Sequence, residues 1–324
     1  MDKDKAVNNP CCVHQSHWPT SVVFFLAALF IAPTTSRAEP SHAKNPPGDV
    51  NTDHPRERLD LEFHLWFLGA TTLAWGALEV VKYTAGPTHC RWCDKNARGA
   101  STLNRLDRQL RSTLRAPKSR QHHVKRASDA LAFAIVPLSG AASAFLFAFD
   151  TATKARKQKG AHPGKDRLFS SRSFWRQAAE NSILMAEAAA MASLIYQVAA
   201  LSAARQRPYA HFSVTPDEKP WNNISFFSGH TTLAFSLTTA AGTIAQLRGY
   251  KWSGWVWALG IPAALATGAL RIAADQHYFT DVLTGALLGS LVGFAVPALS
   301  LRRGLVPTLA VDTKSAHVGV GGRF

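Results

Sequence analysis

WSGWVWALGIPAALATGAL (Trp252–Leu270), RIAADQHYFTD (Arg271–Asp281) and VLTGALLGSLVGFAVPALSL (Val282–Leu301) follow one another without a break. The two outer runs contain no Asp, Glu, Lys or Arg. Each approaches the roughly 20 residues that an α-helix needs to cross the hydrocarbon of a bilayer. Three earlier runs read the same way: Leu131–Phe149, Ser182–Ala204 and Phe227–Leu247. Of these only Ser182–Ala204 holds a charge, Glu187, which is expensive in lipid and should face the bundle or lie near an interface. A sixth run, Leu65–Leu78, sits between His64 and Glu79 and is short for a span. The pattern predicts an all-α, membrane-embedded bundle of five or six spanning helices.

Composition agrees. Hydrophobic residues make up 47% of the 324 residues, yet mean hydropathy is near zero, so the apolar residues are clustered rather than spread. The net charge of +15 calls for an anionic partner: phospholipid headgroups, phosphate esters or nucleic acid. Nucleic acid is the poorest fit, because long uncharged runs separate the basic stretches and no recognition motif accompanies them.

The chain divides into four parts. Residues 1–38 read as a signal peptide or N-terminal anchor: Ser21–Ala32 is a short apolar core, and PTTSRA (Pro33–Ala38) ends in a small-x-small cleavage pattern. Either reading puts residues 39–60 outside the cytoplasm. Cys11 and Cys12 precede the apolar core and do not fit a lipoprotein signal. Residues 39–127 hold the short apolar segment, a Cys90-x-x-Cys93 loop and a basic amphipathic helix in which Leu103, Leu106, Leu110 and Leu114 alternate with Arg105, Arg108, Arg111 and Arg115. That helix suits an anionic membrane surface or a neighbouring part of the same protein equally well. The cysteine pair lacks the second ligand pair that zinc needs, and an extracytoplasmic disulfide or an unbonded structural pair fits better. Residues 128–301 form the core. Residues 302–324 are a polar, Gly-rich tail, strand-like around Thr308–Val311 and His317–Val320 and expected to be mobile.

Charge patterning pulls in two directions. Residues 84–128 carry eleven Lys/Arg against two Asp/Glu, and residues 151–173 carry seven against one. Both point to the cytoplasm, yet one span separates them. If Leu65–Leu78 does not cross, residues 84–128 and the chemistry-bearing helix ends lie outside, and this arrangement is expected; if it crosses, they face the cytoplasm.

Three motifs sit at helix ends. In Arg271-x5-His277-x3-Asp281, His277 and Asp281 are four apart and stack on one helical face. A carboxylate there can accept a hydrogen bond from one imidazole nitrogen and leave the other free to attack. Arg271 supplies a planar guanidinium for two oxygens of a phosphoryl group. In Ser225-Phe-Phe-Ser228-Gly229-His230, Ser228 suits an N-cap, and Gly229 lets backbone approach a ligand closely. The helix N-terminus then offers N–H groups to an anion, and His230 on its first turn can protonate a leaving oxygen. Arg205-Gln-Arg207-Pro208 closes the preceding helix with two arginines. Even numbers of crossings separate the motifs, which places all three on one side of the membrane. Asp281, Gly285, Gly289 and Gly293 are also spaced by four, a pattern that lets helices pack closely.

The order Arg-Pro, Ser-Gly-His, Arg-x5-His-x3-Asp resembles the type-2 phosphatidic acid phosphatase (PAP2) superfamily, which also includes soluble acid phosphatases and vanadium haloperoxidases. The resemblance covers about residues 128–301. It implies an enzyme, a phosphatase with its site at the helix ends, in the manner of bacterial membrane-bound lipid phosphatases. It implies His277 as nucleophile, Asp281 as its orienter, His230 as general acid, and Arg207, Ser228, Gly229 and Arg271 as phosphate ligands. No metal or other cofactor is implied, since arginines neutralise the phosphate. The expected partners are a phosphorylated lipid and the membrane itself, with no obligate protein partner evident, and the implied location is a bacterial inner membrane with the site facing the periplasm. Three positions depart from the family: Ala200 where a Lys is expected, Phe227 for Pro and Leu270 for Ser. Arg205 is placed among the phosphate ligands as a substitute for the missing Lys. A catalytically impaired phospholipid-binding protein is the alternative that Ala200 motivates.

Overall fold

The computed structural model describes residues 59–158, 172–213, 219–301, 306–312 and 315–321. The expected signal segment and most of residues 39–60 lie outside them.

Each predicted run is helical. Helix α1 (Leu61–Thr84) starts at Asp60, whose carboxylate accepts from the N–H groups of Glu62 and Phe63, as an N-cap does. Helix α2 (Arg105–Leu114) is capped in the same way by Asn104, which accepts from Asp107 N–H at 2.8 Å. Helix α3 (Lys118–Ala130) passes through a π-helical turn (Leu131–Ile135) into α4 (Val136–Gln158). Then come α5 (Arg172–Ala203), α6 (Gly229–Leu247), α7 (Ser253–Ala273) and α8 (Phe279–Leu301). Among the described residues, four stretches are long and apolar enough to cross a membrane: Lys118–Thr151, Phe174–Ala203, Ser253–Ala273 and Phe279–Leu301. Pro262 and Pro297 lie inside α7 and α8, which spanning helices tolerate because neighbours re-satisfy the freed carbonyls.

Helix α6 is the axis, buried from Thr231 to Ala245 apart from Leu233. Small residues let its neighbours approach, and α8 comes closest. A Cβ on Gly285, Gly289 or Gly293 would lie 2.7, 2.4 or 2.4 Å from the carbonyl oxygens of Ser228, Thr232 and Ser236 respectively. The face read from the four-residue spacing is thus the α6–α8 seam. Because the obstacle is backbone, Gly289→Ala is expected to cost about 1–3 kcal/mol, the usual range for overpacking. A thermal midpoint in detergent equal to that of the wild type would refute the seam.

Side-chain pairs fix the directions. At one end Phe147 stacks on Tyr250 with centroids 4.5 Å apart, Gln177 donates to Tyr250 Oη, and Arg248 pairs with Glu180 at 2.9 Å. The other end gathers the C-termini of α5 and α7 and the N-termini of α6 and α8. Helix α1 runs parallel to α5: His64 meets Glu187 at 2.8 Å, and further along Gln197 donates to the Leu78 carbonyl at 3.3 Å. Glu187 therefore faces the bundle, where it is satisfied.

One expectation is corrected here. The Leu65–Leu78 run is the middle of a 24-residue helix, about 36 Å at 1.5 Å per residue, which lies along α5 from Glu187 towards the C-terminus of that helix. Its length was hidden because Glu62, His64, Glu79 and Lys82 interrupt the apolar run. His64 is satisfied by Glu187 inside, and Lys82 pairs with Glu79 near the helix end. The tail, read as strand-like around Thr308–Val311 and His317–Val320, forms an antiparallel hairpin there, β1 (Val306–Asp312) with β2 (Ser315–Gly321), in register Val306↔Gly321 to Asp312↔Ser315.

Candidate active site

The loop between α7 and α8 carries His277, and three layers of contacts hold it. The His277 imidazole is buried, and its Nδ1–H donates to the Ser225 carbonyl at 2.7 Å. That bond places the proton on Nδ1 and leaves Nε2 with a free lone pair. Asp281 was expected to make this bond. Its nearer oxygen lies 3.9 Å from Nδ1, and the carboxylate accepts instead from Ser225 Oγ at 2.6 Å, Tyr278 N–H at 3.0 Å and Arg205 Nη1 at 2.6 Å. Asp281 and the imidazole thus share Ser225, whose hydroxyl donates to the carboxylate and whose carbonyl accepts from Nδ1–H. Burial first, then the charges of Arg207 and Arg271, pushes the His277 pKa well below its ordinary 6.5.

Arg205 is not among the groups facing this histidine. Its guanidinium is fully buried and reaches Asp281, Asp107 at 3.0 Å, Asp94 at 3.0 Å and Thr280 at 2.8 Å, stacked between the rings of Trp92 and Tyr278. Burial alone would lower its pKa, but the three carboxylates together hold it above the usual arginine value. Arg205 was read as a phosphate ligand; the structure places its guanidinium among three carboxylates, away from the groups that face His277. Ala200, where the family has Lys, is also fully buried.

Arg207 and Arg271 have a different character. Both are buried, and the Nε of each is a donor without a protein acceptor. Arg207 Nη1 donates to Gln276 at 2.8 Å, while Arg271 Nη1 donates to Asp129 at 2.9 Å and lies 3.5 Å from His230 Nε2. Their charges act on His277. A buried N–H without an acceptor is uncommon and costly, and two of them on neighbouring guanidiniums suit a tetrahedral oxyanion.

Ser228 occupies the N-cap position of α6, but its hydroxyl pairs with Thr231 Oγ1 at 2.9 Å and does not cap. Gly229 is required by packing, since a Cβ would stand 2.7 Å from the Tyr196 ring. The first N–H groups of α6 have no helical acceptors, as at any helix start, and they point to the end where the arginines converge.

Asp129, which was not singled out from the sequence, joins this group. Its Oδ1 accepts from His230 Nε2 at 2.8 Å and from Arg271 Nη1 at 2.9 Å. It sits just before the π-helical turn, a feature frequent at functional sites. The available signal was a lone acid at the head of the Leu131–Phe149 run. Asp129→Asn is expected to lower kcat by at least about tenfold, within the span of acid–base effects, with the fold intact. Unaltered kcat would make it a bystander.

The basic helix α2 packs on the loop and does not lie free on a membrane. Arg111 grips Asp275 through two bonds of 2.6 and 2.7 Å and stacks on Phe212, while Asp107 accepts from Thr280 N–H. Asp275 has φ +59°, a left-handed conformation that Asp tolerates better than most residues. Cys90 and Cys93 form a disulfide in the same layer, where the Trp92 carbonyl accepts from Gln206 N–H and the Cys93 carbonyl from His211 Nδ1.

The family model of the PAP2 superfamily matches residues 182–304, the segment that carries all three motifs. This segment belongs to the PAP2 superfamily. The lipid A 1-phosphatase of Porphyromonas gingivalis is 38% identical over 85 residues, which cover 26% of this chain and 18% of that protein. The chain thus spans less than a fifth of the length of the curated relative it matches. No solved structure matches the chain.

Proposed function

We propose that this membrane protein is a metal-independent phosphatase of lipid phosphate monoesters or pyrophosphates, working through a phosphohistidine. The observation that carries the reading is the convergence of two buried, acceptor-less arginine donors on a histidine whose Nε2 lone pair is freed by the Ser225 carbonyl. Arg207, Arg271 and the start of α6 hold the phosphoryl oxygens. His277 Nε2 attacks phosphorus and the P–O bond to the leaving group breaks. His230 gives that oxygen its proton. Water then attacks the phosphohistidine, loses a proton to His230 and releases phosphate with free imidazole. The arginines offset the charge that builds on the transferring group.

The partial identity to a lipid A 1-phosphatase and the placement of the site at the ends of spanning helices both favour a lipid-borne phosphate. The disulfide layer supports a site end facing an oxidising exterior, the periplasm of a bacterial inner membrane.

A second reading, a catalytically impaired phospholipid-binding protein, is favoured by one feature: Ala200 lacks the family's cation and Arg205 is committed to three carboxylates. Phosphate release from a panel of lipid phosphates in detergent with EDTA separates the two. Release supports the phosphatase; folded protein with no release on any of them supports the binding protein.

A further inference from the structure

We infer that the cleft between α4, α6 and α7 holds a hydrocarbon chain of the phosphorylated lipid, so that chain length selects the substrate along with the phosphate. This rests on the lipid-phosphatase reading above. The cleft has a volume of about 290 Å³ and is walled by Ser139, Gly140 and Ser143 on α4, by Leu237 and Ala241 on α6 and by Gly260 on α7. Ligand pockets run from roughly 300 Å³ upward, so this one suits a single chain better than a headgroup. Small side chains create it, by leaving unfilled the space where three helices meet.

Its position relative to the site argues for the occupant. Arg271 and Ala263, which also lines the cleft, are eight residues apart on α7; His230 and Leu237 are seven apart on α6. At 1.5 Å per residue the cleft begins about 10–12 Å below the phosphate-facing groups. The headgroup layer of one leaflet is about 5–8 Å deep. A lipid whose phosphate meets Arg271 therefore has its chain in hydrocarbon at the depth where the cleft opens. The π-helical turn links the two: the Phe133 ring lies edge-on to His230 at 4.7 Å, and Ile135, two residues on, lines the mouth. The cleft also opens sideways, since Leu146 on α4 and Trp255 and Leu259 on α7 line it and are exposed. Those surfaces belong to stretches apolar enough to span. A chain enters from the bilayer without passing through water.

The test fills the cleft from α4. Ser143 is fourteen residues from Asp129, roughly 20 Å along the helix, so Ser143→Phe leaves the reacting groups in place; Ser139→Phe is the second variant. Turnover of a dipalmitoyl phosphatidate is compared with that of its dibutanoyl analogue, and Leu291→Phe on the exposed face of α8 is the control. Each cleft variant is expected to lower kcat/KM for the long-chain substrate by about tenfold, a size typical of steric discrimination in apolar pockets, and to change the short-chain value by less than about twofold. Retained short-chain turnover shows that the variant is folded. Equal losses on both substrates from both variants, or no loss on either, overturn the inference and leave the phosphatase standing; a cleft filled only by bulk lipid gives the latter. Where phosphatidate is not a substrate, the long- and short-chain pair is made from a panel lipid that releases phosphate; release from none of the panel overturns the phosphatase reading and the inference with it.

Discussion

Replacing His277 with alanine is expected to lower phosphate release by at least about 10⁴-fold, the scale seen when a nucleophile that acts as part of a unit is removed. No second group is placed to take over: among the described residues His230 is engaged with Asp129, and the arginines cannot form a covalent intermediate. The measurement is phosphate release by purified wild type and variant in detergent with EDTA, with circular dichroism to establish that the helices persist. Residual turnover within about tenfold of wild type would remove His277 from the nucleophile's role. The same histidine makes a pH prediction. Its folded pKa lies well below 6.5, so it stays neutral as pH falls through 6.5 and gains a proton only at a lower pH. The acid limb of kcat/KM, which reports the group that must be unprotonated, is therefore expected below pH 6.5. A limb centred at 6.5 would mean an imidazole in ordinary surroundings, at odds with this burial.

Arg205→Ala is expected to destabilise the protein by about 3–5 kcal/mol, the cost of removing one partner from a buried ion cluster. Asp281 and Asp107 have no exposed side-chain surface, and each would lose the guanidinium that compensates it. Arg205→Lys should recover only part of the loss, since one ammonium cannot meet three carboxylates and Thr280 from the geometry of a planar fork. Denaturation in detergent reads the effect. Activity should fall as well, because Asp281 and Ser225 hold the imidazole. A phosphate ligand would behave otherwise: its loss would raise KM and leave stability near that of the wild type. That pattern would restore the role the sequence suggested for Arg205.

Much of this protein is legible without coordinates. Charge-free runs of bilayer length announce the spanning helices, because a helix satisfies its own backbone and lipid penalises every exposed charge. The His277–Asp281 spacing and the positions of Arg207, His230 and Arg271 at helix ends are local facts, so counting along the chain brings them to one side. The seam of Gly285, Gly289 and Gly293 is legible for the same reason: helical periodicity assigns a face.

What the tertiary structure alone decides are choices between partners distant in sequence. Helical spacing brings Asp281 near His277, but it cannot say that a carbonyl of the Ser225 loop would take the Nδ1 proton first. An arginine beside a family motif reads as a ligand until Asp94 and Asp107, contributed by the layer before the core, are seen to enclose it. Asp129 and His230 are 101 residues apart, and only the packing of α3 on α7 and of the π-helical turn on α6 joins them. Helix α1 looked too short because pairing with Glu187, supplied by α5, is what makes His64 tolerable inside. Hydropathy and periodicity are properties of single elements and survive in the sequence. Ion pairing and hydrogen bonding are properties of pairs of elements, and they come into being only when the bundle closes.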